Sequence, residues 1–210
     1  MITTIVFDIG GVFFHQPREL EDEFWRRFGI TDPTLTDDMM HGGELWDAYK
    51  RGRMTEREYW TTLLGTLTPQ YEGSWATICR AYDGAVVLDA QLVNLVKRLK
   101  LQYHVHALSN AGAELERRLR DFWIADLFGE VINSHYIRMA KPDEAIYRYA
   151  CMRVGAEPQE ILFVDDKSRN TRVAAQVGFH THEYTTAAAF EEFLTDAGLL
   201  DSLQSQVEGY

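Results

Sequence analysis

The 210-residue chain carries two cysteines, Cys79 and Cys151, and no CxxC pair. Neither a disulfide framework nor a thiolate metal site can be read from it, and free thiols in a reducing compartment are expected. Positive charge is also scarce: 21 Lys and Arg stand against 32 Asp and Glu, for a net charge of -11. Binding to a phosphate backbone or an anionic bilayer needs clustered basic residues, so nucleic-acid and membrane-surface partners are excluded. No apolar run approaches the roughly 18 residues of a membrane span, and the N-terminus enters a strand pattern directly, which together give the expectation of a cytoplasmic protein. The seven histidines form no HExxH or comparable spacing, which argues against zinc. There is no internal repeat and no low-complexity tract, and the tail from 201 to 210 says little. With 46% hydrophobic residues, the chain can bury a core of one domain, or one domain carrying an insertion.

Short apolar strand patterns recur at 3–8, 103–108, 130–133, 161–165 and around 179–184. Amphipathic helix patterns at 112–122, 143–154 and 168–177 alternate with the later ones. Strands separated by single helices predict an α/β fold: a doubly wound, mostly parallel, Rossmann-like sheet that binds ligands beyond the carboxyl ends of its strands. The alternation breaks between residues 9 and 102, where no convincing strand is seen and the patterns are helical: 19–28, 37–51, 55–64, 69–82 and 89–100. A minimal crossover needs only about 10 to 12 residues. We therefore expect a core made of 1–14 and 86–210, with 15–85 inserted as a helical cap over the edge where the first strand ends. Such a lid excludes water and selects the substrate. Trp46, Tyr49, Tyr59 and Trp60 sit at helical spacings and read mainly as cap core, with one or two facing the cleft.

The chemistry-bearing residues stand at strand ends. Asp8 follows a β-branched and aromatic run and precedes Gly10-Gly11, whose missing Cβ atoms let backbone N–H groups approach an anion. It is a candidate nucleophile, metal ligand or both; alternatively it accepts N–H bonds at a turn. Asp165 and Asp166 close another apolar strand before a helix, and one of them could cap it. Three carboxylates brought close together repel unless a cation joins them, and a hard divalent ion such as Mg²⁺ fits carboxylates, waters and a substrate phosphate. Lys141 lies near a helix start, against the dipole, which favours a role in neutralising a phosphoryl group over that of an exposed surface lysine. Ser109 and Asn110 end their strand as candidate phosphate ligands or as ordinary turn residues. His104 and His106 alternate with Val105 and read as one sheet face.

These segments, ThrIleValPheAspIleGlyGlyVal at 4–12, Ser109, Lys141-Pro142 and PheValAspAsp at 163–166, make the chain resemble the haloacid dehalogenase-like hydrolases. The match runs from residue 3 to about 184 and includes Asn170, Ala174 and Gly178, while the insert is similar to caps that follow the first motif. The resemblance implies that Asp8 attacks phosphorus to give an aspartyl phosphate that water hydrolyses. It implies Mg²⁺ held by Asp8, the Gly10 carbonyl and Asp166, with Asp165 direct or through water. It further implies phosphate contacts from Gly10, Gly11, Ser109, Asn110 and Lys141, the last also catalytic.

One position departs from the family pattern. An aspartate usually stands two residues after the nucleophile as general acid and base, and here it is Gly10. Its absence costs about 10²- to 10⁴-fold in rate if nothing replaces it, although some phosphatases that resemble this chain, sugar-1-phosphate phosphatases among them, also carry glycine there. His15 titrates in the right range to substitute, the alternative being a hinge histidine that packs or caps a turn. The leading expectation is a Mg²⁺-dependent phosphatase of a small phosphorylated metabolite, with a sugar phosphate first among candidates. The alternatives are a metal-independent 2-haloacid dehalogenase and a metal- and phosphate-binding regulatory protein weakened by Gly10. The sequence gives no oligomeric state.

Overall fold

The computed structural model describes residues 1–27, 42–67 and 73–200. Its centre is the strand β1 (Thr4–Phe7), every residue of which is buried, as the unbroken apolar run ThrIleValPhe requires of a strand covered on both faces. β1 pairs in parallel with β4 (His104–Ser109), Ile5 opposite Val105, and with β6 (Ile161–Asp165), Ile5 opposite Leu162. With β5 (Val131–Asn133) and β7 (His180–Glu183) they form a five-stranded sheet in the order β5-β4-β1-β6-β7. All of its pairings are parallel, as the alternating pattern predicts. His104 is exposed and His106 half-buried, on one face of β4 as expected from their spacing.

Apolar clusters cover both faces. One joins Phe7, Leu92, Val96, Leu119 and Phe190, and the other joins Val6, Leu108, Ile146, Tyr147 and Phe163. They are closed by α5 (Ala90–Leu99), α6 (Leu115–Asp121), α7 (Ser134–Ile137), α8 (Glu144–Val154), α9 (Ser168–Val177) and α10 (Ala187–Asp196). α5 begins where Asp89 Oδ1 accepts from Leu92 N at 2.9 Å, a side-chain N-cap. The sequence reading stopped before α10, although Thr186 caps it and Phe190 and Leu194 are spaced for burial.

Between β1 and β4 the chain departs from simple alternation. The helices α1 (Arg18–Arg27), α2 (Gly43–Lys50), α3 (Glu56–Leu67) and α4 (Trp75–Asp83) enclose a separate cluster that includes Phe24, Trp25, Tyr49, Tyr59, Trp60 and Ile78. Thr55 and Glu58 form the expected reciprocal cap at the start of α3. The parts of the expected helices at 28, 37–41 and 69–72 lie outside the described residues. One element was missed: β2 (Phe14–His15) and β3 (Val87–Leu88) make an antiparallel ribbon at the two crossings between insert and core. Two-residue strands are too short to give a periodic signal.

Candidate active site

The turn after β1 presents Asp8. Phe13 N and Phe14 N both donate to Ile9 O, and Gly11 N donates to Phe14 O at 2.9 Å, so the chain doubles back at once. Gly11 adopts φ +79, and a Cβ there would stand 2.4 Å from Asp166 Oδ2. Only glycine allows the turn and the second carboxylate to meet so closely.

Asp8 is buried. Its Oδ1 accepts from Ile9 N at 2.6 Å and from Ser109 Oγ at 3.0 Å, and its Oδ2 lies 2.9 Å from Lys141 Nζ. The same ammonium is 2.7 Å from Asp165 Oδ2, and none of the three side chains has more than a trace of exposure. Asp165 takes further bonds from Lys167 N at 2.9 Å and from Asn170 Nδ2 at 2.9 and 3.0 Å. Lys141 is thus an internal counter-ion, not a surface lysine. It also precedes α8, which begins at Glu144, so the dipole argument made from the sequence does not apply to it.

Two of the residues expected on phosphate, Gly11 and Asn110, make bonds within the protein. The Gly11 N–H is bonded within the turn. The Asn110 side chain clamps the backbone of Lys141, donating from Nδ2 to Lys141 O and accepting from Lys141 N on Oδ1, both at 2.8 Å. Ser109 and Lys141 come directly onto Asp8, and the Gly10 position is open, with nothing within 4 Å of a Cβ built there. Asn170, named in the sequence only as a typical family position, proves to be a main partner of Asp165.

One carboxylate oxygen from each of Asp8, Asp165 and Asp166 lies within 4.8 Å of the other two. Burial pushes Asp8 up to about 7; Lys141 opposes this and Asp165 adds to it. Burial also pushes Asp165 up, but Lys141 and the bonds from Lys167 and Asn170 outweigh it and hold that carboxyl below its ordinary value. The Lys141 ammonium is disfavoured by burial, yet the two aspartates raise its pKa overall. Asp166 is raised, chiefly by burial and partly by Asp165, and its buried Oδ1 has no hydrogen-bond partner among the described residues. Three acids against one lysine leave a charge deficit that a divalent cation would fill. The donor set is hard oxygen, and Asp166 is the acid with an unsatisfied atom.

A cavity of about 640 Å³ opens from Asp8 and Asp166 toward the insert, where Trp46, Tyr49, Tyr59 and Trp60 contribute to its wall. The helices α2 and α4 are tied to the region of α6 around it. Tyr49 Oη donates to Glu114 Oε2 at 2.6 Å and accepts from Ala113 N at 3.2 Å. Arg117 and Arg118 reach Asp83 at 2.8 and 2.6 Å. A Cβ on Gly112 would sit 2.2 Å from the Tyr49 ring. These links join residues far apart in sequence, so no local pattern announces them.

The profile of the family described as haloacid dehalogenase-like hydrolase matches residues 2–178. Among known proteins, D-ribitol-5-phosphate phosphatase of Bacteroides thetaiotaomicron is 25% identical over 93% of this chain and 98% of its own length. Sesquiterpene phosphatase astK of Aspergillus oryzae (strain ATCC 42149 / RIB 40) is 28% identical over 82% of this chain and 85% of its own. Drimenol cyclase drtB of Aspergillus calidoustus is 25% identical over 86% of this chain, which spans about a third of that longer protein, 34%. The fold matches a HAD family enzyme from Bacteroides thetaiotaomicron, crystallised with magnesium and inorganic phosphate, at a TM-score of 0.76 and 22% identity over 89% of this chain and 96% of the other. With the strand-end aspartates, the buried lysine and the family match in agreement, this chain belongs to the haloacid dehalogenase-like hydrolases.

Proposed function

We propose that the protein is a Mg²⁺-dependent phosphomonoesterase acting on a small phosphorylated metabolite through an aspartyl phosphate on Asp8, with a sugar phosphate the first class to try. The observation that carries this reading is the single buried ammonium of Lys141 shared between Asp8 and Asp165, beside an Asp166 oxygen that nothing among the described residues satisfies. The relatives named as phosphatases, and the neighbour crystallised with magnesium and phosphate, support it.

Asp8, the Gly10 carbonyl and Asp166 would hold the metal. Asp165, already saturated by Lys141, Lys167 N and Asn170, contributes negative charge rather than a free lone pair. The ion, when bound by these residues, would neutralise charge on the phosphoryl oxygens and favour an ionised Asp8. The Lys141 ammonium and the Ser109 hydroxyl, both already on Asp8, are placed to receive a phosphoryl oxygen next to the attacking carboxylate. Most of the catalysis resides in such preorganised charge and position. Asn110 fixes the Lys141 backbone, so it acts as a positioning residue. The insert of residues 15–85 serves as a cap, and its aromatic wall and its ties through Tyr49 and Arg118 choose the leaving group and exclude water.

The test is a panel of phosphometabolites with Mg²⁺. Turnover that disappears with EDTA and with Asp8→Asn supports the reading. Chloride release from 2-chloropropionate in EDTA would instead make the protein a dehalogenase. Tight Mg²⁺ and phosphate binding with no turnover of any phosphomonoester would make it a binding protein.

A further inference from the structure

Resting on the phosphomonoesterase reading, we infer that His15, which faces Asp89 beside the β2–β3 ribbon, is the proton-transfer residue of the reaction. The chemistry needs such a group twice. An alkoxide leaving group must gain a proton as its bond to phosphorus breaks, and the water that attacks the aspartyl phosphate must lose one.

Among the described residues, the charged side chains that bond to Asp8 or share its acidic cluster are all committed elsewhere. Lys141 is locked between two aspartates, and Asp165 is saturated. Asp166 stands in the metal set, Asp8 is the nucleophile, and Gly10 has no side chain and faces open space. Of the histidines among the described residues, His15 lines the cavity that opens on Asp8.

The turn places His15 on the wall of the cavity that Asp8 also lines. Gly10 forms a β-bridge with Phe14, and Gly11 N donates to Phe14 O, so the residue after Phe14 emerges beside the nucleophile loop. His15 Nε2 faces Asp89 Oδ2 at 3.7 Å. Asp89 is itself fixed: Tyr184 Oη donates to Oδ2 at 3.0 Å, Leu92 N donates to Oδ1 at 2.9 Å, and Asp89 N donates to Phe13 O at 2.8 Å. At 3.7 Å the pair of His15 and Asp89 is an electrostatic contact and not a hydrogen bond, so Asp89 draws the ring toward itself without fixing a tautomer. The imidazole is part-exposed, so the proton it exchanges has a path to water.

The step balances without a further reactant. As Asp8 Oδ bonds to phosphorus and the P–O bond to the leaving group breaks, imidazolium gives its proton to the departing oxygen. Neutral His15 then takes a proton from water as water attacks phosphorus. The Asp8–phosphorus bond breaks, inorganic phosphate leaves, and His15 is again protonated.

His15→Ala tests it with two substrates in Mg²⁺, an alkyl phosphate and 4-nitrophenyl phosphate. With the alkyl phosphate, kcat should fall about 10²- to 10⁴-fold. With the nitrophenyl ester, whose leaving group needs no proton, the variant should release about one equivalent of nitrophenolate in a burst and then stall at the aspartyl phosphate. Added imidazole should restore turnover. Asp89→Asn, which keeps an N-cap residue on α5, should lower kcat with KM unchanged. An His15→Ala protein with unaltered kcat on the alkyl phosphate, or one slowed equally on both esters with no burst and no imidazole rescue, overturns this inference and leaves the phosphatase reading standing. Failure of the unaltered protein to hydrolyse either ester, or any other phosphomonoester offered, overturns both.

Discussion

Replacing Lys141 by methionine keeps most of its volume and removes the one charge that reconciles Asp8 with Asp165. In the native protein Nζ is 2.9 Å from the first and 2.7 Å from the second, in a site closed to solvent. Removing one partner of a buried ion pair costs about 3–5 kcal/mol, because an uncompensated charge stays behind. That is a large share of a typical stability of about 5–15 kcal/mol. In a chain of this size each kcal/mol moves Tm by about 2–4 °C, so Lys141→Met should melt about 6–20 °C lower at pH 8 in EDTA. The loss should depend on pH in a definite direction. Without the ammonium, Asp8 stands further above the unfolded value of about 3.9, and Asp165 loses the chief influence that holds it down. A raised carboxyl contributes stability below the unfolded value and loses it as pH climbs through the folded one. The variant should therefore lie closer to the native protein at pH 5 than at pH 8, and adding Asp165→Asn should recover part of the loss. Thermal denaturation of the three proteins at both pH values measures this. A Lys141→Met protein melting within about 2 °C of the native one at pH 8, or with the same deficit at both pH values, would refute the reasoning.

Three further outcomes follow from the same geometry. Gly11→Ala adds a Cβ 2.4 Å from Asp166 Oδ2 at a residue with φ +79; it should cost about 1–2 kcal/mol of stability and weaken Mg²⁺ binding by about tenfold or more in calorimetry, equivalent to about 1.4 kcal/mol. In the metal-free native protein, Asp8 raised to about 7 and Asp166 also raised contribute stability that is lost as pH rises from about 4 through about 7, a trend that His106 and His182, both lowered by burial, oppose. The depressed Asp165 contributes in full above pH 4, so it does not reverse the trend. The rise in Tm on adding Mg²⁺ should accordingly be larger at pH 8 than at pH 5. Tyr49→Phe removes the bond to Glu114 and orphans Ala113 N; it should cost about 1–3 kcal/mol and raise KM more than it lowers kcat.

The parts of the site legible in the sequence are those fixed by local rules. Asp8, Ser109 and Asp165 each end a buried strand, and a polar residue at the carboxyl end of an apolar run has few places to go other than the functional edge of a parallel sheet. The long helical stretch between the first two sheet strands was legible by its length alone. What stayed hidden depends on partners distant in sequence. Lys141 reads locally as an ill-placed helix-start lysine and proves to be a buried counter-ion only once Asp8 and Asp165 are beside it. Asn110 looks like a turn residue but splints the Lys141 backbone across 31 positions. The Asp165-Asp166 pair illustrates both halves: its place at a strand end before a helix is local, but which acid is saturated and which keeps an unpaired oxygen among the described residues depends on Lys141, Lys167 and Asn170.

The central claim is that Asp8 accepts a phosphoryl group. Rapid quenching of the protein during turnover of a radiolabelled phosphate ester, followed by borohydride reduction and peptide mapping, tests it directly. The account predicts that label is retained in acid at about one equivalent or less, that it is absent in Asp8→Asn, and that reduction converts Asp8 to homoserine. Steady hydrolysis with no modification of Asp8, or with the label on another residue, would contradict it.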